Sequence, residues 1–194
     1  MSINLISLSG RARVGKGTFV TLLSDILSHQ NPPRSVTEIA FAHALKEELN
    51  STLIMRFGIS AFTTNDAEKK IIRSFLVARG AGARAEDVNH WVKLVEPNVK
   101  KRLSEGDVVI ISDSRYKNEC DWVHSLEGKV VYIERTIDGI PVPPANEEEA
   151  ANDDAARAVS DITVSWNTFG ENYLDMMRPF VFDTWAKLNQ ASQV

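Results

Sequence analysis

The nine residues Gly10-Arg11-Ala12-Arg13-Val14-Gly15-Lys16-Gly17-Thr18 combine two spaced glycines, a lysine and a hydroxyl in a pattern suited to holding phosphate. Glycines at positions 10 and 15 open backbone angles closed to other residues, so that successive N–H groups can turn inward around phosphate oxygens. A helix starting near Lys16 would add the positive end of its dipole, and the Lys16 ammonium would add a full charge. The other reading of these residues is a glycine-rich turn with an exposed lysine. The context favours the first, because an apolar run from Ile3 to Leu8 precedes the loop and a helical stripe of Phe19, Leu22, Leu23, Ile26 and Leu27 follows it.

The lysine is followed by Gly17 and then Thr18, where the usual pattern places Ser or Thr directly after the lysine to give a hydroxyl to Mg²⁺. Glycine has no hydroxyl to give, so a carboxylate elsewhere in the chain is needed to reach a metal through water. Asp113 is the candidate for that acid, acting through water. It ends the strongest apolar run of the chain, Asp107 to Asp113, and ligands of open parallel sheets bind beyond the carboxyl ends of strands. Arg115, two residues on, offers a planar fork that matches an acceptor phosphate. A second reading of the pair stays open, with Asp113 capping the next helix and Arg115 merely exposed. Further cations are Lys46, at a helix start or simply solvated, then Arg73 and Arg84 in a helical insertion, and Arg135 with Arg157 beside a long connection.

These residues need elements to hold them. Apolar runs give five strands, at Ile3 to Leu8, Val36 to Phe41, Asp107 to Asp113, Lys129 to Glu134 and Asp161 to Trp166, alternating with helices. That alternation implies right-handed crossovers and a parallel sheet. Between the second and third strands, helical patterns over 67–79 and 88–103 are separated by Gly80-Ala81-Gly82, read as a hinge, with Pro97 expected to kink or divide the second. Trp91 reads as core. The connection from Thr136 to Ser160, rich in proline and then in acid, reads as a mobile surface excursion in the place of a lid, with Glu147-Glu148-Glu149 as a solvated helix face. Tyr173 to Leu188 reads as a final amphipathic helix.

Composition narrows the classes. With 194 residues, 43% hydrophobic and 25% charged, the chain suits one domain with a full core. A net charge of −4 argues against a general nucleic-acid or anionic-membrane surface, so any phosphate site must be local. One cysteine, Cys120, forms no intrachain disulfide, and the four histidines are too dispersed for a zinc spacing. With no apolar run near ~20 residues and no leader pattern, a cytoplasmic location is expected.

The Gly-Lys-Gly-Thr ending resembles adenylate kinase and related nucleoside monophosphate kinases. Several segments together resemble one family, the deoxynucleoside monophosphate kinases of tailed bacteriophages. They are Leu8 to Thr18; Phe41-Ala42-His43-Ala44-Leu45-Lys46, with Ala44 where the family has proline; Arg73 to Gly80; Arg84 to Trp91-Val92; and Asp113-Ser114-Arg115-Tyr116-Lys117-Asn118-Glu119. The last is the most discriminating. Two departures stand out: Pro144-Ala145-Asn146-Glu147 keeps only the acid of a lid His-x-Ser-Glu element, and Gly80-Ala81 lacks a threonine.

The resemblance implies a three-layer α/β P-loop fold with a five-stranded parallel sheet between helices. The core would be about 1–58, 107–135 and 161–194, the acceptor-binding insertion about 59–106 and the lid about 136–160. It implies transfer of the ATP γ-phosphoryl group to a (deoxy)nucleoside monophosphate with Mg²⁺, in the host cytoplasm if phage-encoded. Partners would be small-molecule nucleotides, with a homodimer open and neither nucleic acid nor membrane expected. In this reading Lys16, Asp113 and Arg115 are catalytic. Gly10, Arg13, Gly15, Lys16, Gly17, Thr18 and Arg135 hold the donor; Lys46, Arg73, Arg84, Arg115 and Glu119 hold the acceptor. A P-loop kinase for another small acceptor and a binding-only nucleotide module remain as alternatives.

Overall fold

The computed structural model describes residues 3–191. Strand β1 (Leu5–Ser9) is buried along its whole length, as a central parallel strand covered on both faces must be. The glycine loop follows it and leads into α1 (Lys16–Ser28), then β2 (Val36–Ile39), α2 (Phe41–Phe57), α3 (Asp66–Glu86) and α4 (His90–Ser104). After these come β3 (Val108–Ile111), α5 (Lys117–Ser125), β4 (Lys129–Ile137), β5 (Ile140–Pro141), α6 (Glu147–Ala158), β6 (Ile162–Asn167) and α7 (Tyr173–Ala191).

The sheet runs β2-β3-β1-β4, with β6 parallel to β4 and the two-residue β5 antiparallel to it. It therefore has six strands where the sequence suggested five. The extra one arises because β4 continues past Glu134 and turns back through Asp138-Gly139, both at positive φ (53° and 81°), a pairing that suits a tight hairpin. β1 sits between β3 and β4, so the crossovers leave it to both sides and open a crevice at its carboxyl end.

The chain divides into two compact units, Ala40–Asn98 and the remainder. In the larger unit the core joins Ile6, Leu8, Phe19, Leu23 and Leu27 to Val131, Ile133, Val181, Trp185 and Leu188. Val181, Trp185 and Leu188 recur at helical spacing on α7, which packs on α1. The smaller unit has its own cluster of Leu53, Ile59, Ala61 and Ile72.

Several elements differ from the sequence reading. α3 runs through Gly80-Ala81-Gly82 without a break, so there is no hinge. Gly80 is buried, its carbonyl accepting from Trp91 Nε1 at 3.3 Å, and a Cβ there would meet Arg84 and Leu45 at the ordinary contact distances of 3.5 and 3.6 Å. Trp91 is buried, as expected of core. α4 is continuous with Pro97 inside it. Phe41 opens α2 rather than closing β2, which moves Lys46 into the second turn of the helix. β3 stops at Ile111, leaving Asp113 in the loop, and Tyr116 rather than Asp113 is the N-cap of α5.

Gly10 has φ +117°, and a Cβ there would lie 2.1 Å from the Ile133 carbonyl oxygen of β4, so the loop can leave β1 only through glycine. Gly17 meets nothing within 4 Å. Gly10→Ala should cost about 2–4 kcal/mol of stability in urea unfolding, and Gly17→Ala should stay within about 1 kcal/mol of the parent. Equal midpoints for the two variants would contradict this reading of the loop.

Candidate functional site

At the carboxyl ends of the strands lies a cavity of about 610 Å³, within the range of small-molecule sites. Its floor is the loop from Ala12 to Thr18. Gly15, at φ +103°, is the N-cap of α1, so the helix opens toward the cavity with its unbonded amides and positive dipole end. Arg13 is exposed and also at positive φ, 62°.

Three elements far along the chain hold the loop. Trp166 of β6 donates from Nε1 to the Val14 carbonyl at 2.8 Å, and a Cβ on Gly15 would sit 3.0 Å from the Trp166 ring. From α6, Glu149 accepts from Ala12 N at 2.7 Å and Asp153 accepts from Arg11 Nε at 2.7 Å. Arg11 Nη1 also donates to the Val142 carbonyl at 2.8 Å. The segment expected to be a mobile excursion is therefore strapped to the loop. Its acidic run is not a uniformly solvated face either: Glu147 and Glu148 are exposed, but Glu149 is 6% exposed and Asp153 7%. Asp153 also accepts from the buried Tyr132 hydroxyl at 2.8 Å, and burial first, then that bond, pushes the Tyr132 pKa up.

Lys16 folds back over the loop and donates from Nζ to the Gly10 and Arg11 carbonyls at 2.6 and 2.8 Å. Its pKa is pushed down to about 8, by burial first and then by the charge of Arg115, with Glu149, Asp113 and Asp153 opposing. Lys16 and Arg115 thus belong to one electrostatic site, and both line the cavity.

Strand order distributes the remaining lining residues to either side of the loop. On the β2 and β3 side are Glu38, Ser112 and Arg115. Glu119, expected at the acceptor, is buried and accepts from Arg115 N at 2.8 Å and Tyr116 N at 3.2 Å; it fixes the backbone that carries Arg115 and does not line the cavity. On the β4 and β6 side are Arg135, Trp166, Asn167, Phe169 and Tyr173. Arg135 Nε is buried and has no hydrogen-bond partner among the described residues. Arg157 instead pairs with Glu134 at 3.1 Å and lies over the Tyr132 ring.

Lys46, Arg73 and Arg84 belong to the smaller unit. There Lys46 lies 5.9 Å from the centre of the Phe62 ring, Arg73 is exposed, and Arg84 is half-buried beside Gly80. Sequence reading missed Glu38, a lone acid on a short strand, and the aromatic wall of Phe169 and Tyr173, which follows β6 without a motif. It also missed Glu149 and Asp153, although their i, i+4 spacing with Ala156 at i+7 marks one helix face.

A divalent cation such as Mg²⁺ takes oxygen ligands, and the donor set fits a lightly held one. Among the described residues no group of three or more His, Cys, Asp or Glu side chains stands ready to hold a metal. The carboxylates available are Glu38, in the cavity lining, and Asp113, close enough to act on Lys16.

No family model matches the chain, and no curated protein matches it. Similar solved structures include an unliganded sugar kinase from Janibacter sp. HTCC2649, 11% identical over 98% of each chain with a TM-score of 0.44. Another is thymidylate kinase from Ehrlichia chaffeensis, 16% identical over 95% of this chain and 99% of that one, with a TM-score of 0.43. At TM-scores below 0.5 neither likeness carries an assignment to this chain. Among the described residues no helix is long and apolar enough to cross a membrane.

Because Lys16 titrates near pH 8, its attraction for an anion is complete below that pH and is lost as pH rises through it. The ratio of calorimetric affinities for inorganic tripolyphosphate, wild type over the always-charged Lys16→Arg, should fall above pH 8, toward a limit of about tenfold per pH unit. A ratio constant from pH 7 to 9.5 would contradict the burial of Lys16.

Proposed function

We propose that the chain is an ATP-dependent phosphotransferase whose acceptor is itself a phosphate, a (deoxy)nucleoside monophosphate. The observation that carries this reading is a cavity lined by both Lys16, on an amide-lined loop, and Arg115, with Arg135 and an aromatic wall on the other side of the loop from Arg115. An amide nest with a lysine suits the triphosphate of a donor. The β4 and β6 side, with Arg135, Phe169, Tyr173 and the Asn167 amide, suits its base, which needs stacking surfaces and a few directional partners. A second guanidinium beyond the loop has no use in a binding-only module, and it suits a second phosphate. The likeness of Asp113 to Glu119 to the phage monophosphate kinases supports the same acceptor.

The chemistry then follows from charge. A monophosphate has its second pKa near ~6, so its attacking oxygen is already ionised at neutral pH and needs no strong general base. That oxygen forms a bond to the γ-phosphorus as the bond from the γ-phosphorus to the β-bridging oxygen breaks, leaving ADP and a nucleoside diphosphate. Lys16 and the loop amides hold the donor oxygens and stabilise charge on the transferring group, while Arg115 aligns the acceptor. Asp113 or Glu38 would hold Mg²⁺ through water, and the ion would supply further charge neutralisation.

A coupled assay for ADP release across ribo- and deoxynucleoside monophosphates tests the reading. One or more monophosphates should stimulate release well above the ATP-only background; stimulation by none would overturn the proposal. Lys16→Ala should lower kcat by about 10²- to 10⁴-fold with the fold retained by circular dichroism. Arg115→Ala should lower kcat/KM for the acceptor by about 10²-fold or more with the KM for ATP little changed. A loss confined to ATP affinity would reverse the two subsites.

A further inference from the structure

Lys16 and Arg115 are like charges in one cavity, and they repel each other. Something must hold both there before any phosphate arrives. Glu149 is the side chain placed to do so. Its Oε1 accepts the Ala12 amide at 2.7 Å and lies 3.9 Å from Arg115 Nη1, and its Oε2 accepts the Ala145 amide at 2.6 Å. The Glu149 side chain is 5% exposed, against 43% for Arg115, so the carboxylate is fixed and the guanidinium is the movable partner. Its direction is preset by the start of α6, where the Asn146 side chain caps the Glu149 amide at 2.8 Å while Glu149 reaches back to Ala145. A carboxylate so withdrawn from water requires compensation, and two amides plus a nearby guanidinium provide it.

We infer that Glu149 is a positioning residue: it ties the donor loop through Ala12 and draws the Arg115 guanidinium to a fixed place beside that loop, so that the two phosphates meet in line. The inference rests on the phosphotransfer reading above for its consequence, but the geometry is that of the chain alone. Glu149 also favours the charged form of Lys16, as expected of a counter-charge shared by both cations. Asp153, one turn further along the same helix, provides the contrast. It clamps Arg11 and Tyr132 and has no pairing with Arg115.

The test is a double-mutant cycle on the full chain with Glu149→Gln, Arg115→Ala and both together, and with Asp153→Asn as comparison. Glu149→Gln should lower kcat/KM for the acceptor by about 10- to 100-fold and leave the KM for ATP within about threefold. In the Arg115→Ala background it should cost little further, because its effect passes through the residue already removed. Asp153→Asn, which loosens the same helix from the same loop, should weaken donor and acceptor use together. Additive losses in the cycle, or a Glu149→Gln pattern identical to that of Asp153→Asn, would reduce Glu149 to a structural clamp and overturn the inference. If Glu149→Gln does not fold, Glu149→Asp, which keeps the charge but draws it back from Arg115, is put through the same cycle and judged by the same outcomes.

A ligand-free readout separates this inference from the function it serves. In carbon-13 relaxation the Arg115 Cζ signal should report an ordered side chain in wild type and in Asp153→Asn, and a mobile one in the Glu149 variant. The same signal in all three overturns the positioning role. Absence of ADP release by wild type would instead overturn the phosphotransfer reading and leave this spectral result to decide on Glu149.

Discussion

A lysine ammonium half withdrawn from water, held on two carbonyls of its own loop, is the constraint from which the rest of the site follows. Burial and a neighbouring guanidinium lower the Lys16 pKa to about 8, and three carboxylates offset this only in part. On the proposed function such a cavity suits a polyanion, because a phosphate chain would add to the counter-charge that Lys16 and Arg115 receive from these acids. Holding the ammonium there requires a loop turned tightly over β4 at Gly10, where only glycine fits, and braced at Val14 by the Trp166 indole. The sheet order then places β3, with Arg115 beyond it, on one side of the loop and β4 and β6 on the other.

The bracing comes from an unexpected quarter. A helix normally buries an apolar stripe, but α6 buries Glu149 and Asp153 along with Ala156. Carboxylates are tolerated in that position only because each meets donors from elsewhere: the Ala12 and Ala145 amides for one, Arg11 and Tyr132 for the other. The stability of the loop and the packing of α6 are thereby one property. A segment that composition marks as a loose surface excursion thereby helps to shape the glycine loop.

What the sequence made legible follows from how local each signal is. The loop could be read from glycine and lysine spacing alone, and β1, β3 and β4 from apolar runs, because these depend on near neighbours. The continuity of α3 through Gly80 to Gly82 could not. It depends on the Trp91 indole meeting the Gly80 carbonyl and on packing beside Leu45. The acids of α6 were misread for the same reason, since their partners lie 142 and 137 residues away for the Arg11 and Ala12 contacts. The Asp138-Gly139 hairpin does carry a local turn signal, set within a proline-rich stretch. Glu119 kept its place in a recognisable block yet serves the backbone of Arg115 rather than the cavity.

The proposed function requires one chain to grip two phosphorylated ligands against a single loop. The decisive measurement is calorimetric binding of a pentaphosphate-bridged dinucleotide, in which one further phosphate links ATP to a nucleoside monophosphate. Joining the ligands removes the cost of bringing in the second, so one molecule should bind per chain, at least about 10²-fold more tightly than ATP alone. Binding no tighter than that of ATP, across bridged compounds covering the common bases, would contradict a second phosphate subsite.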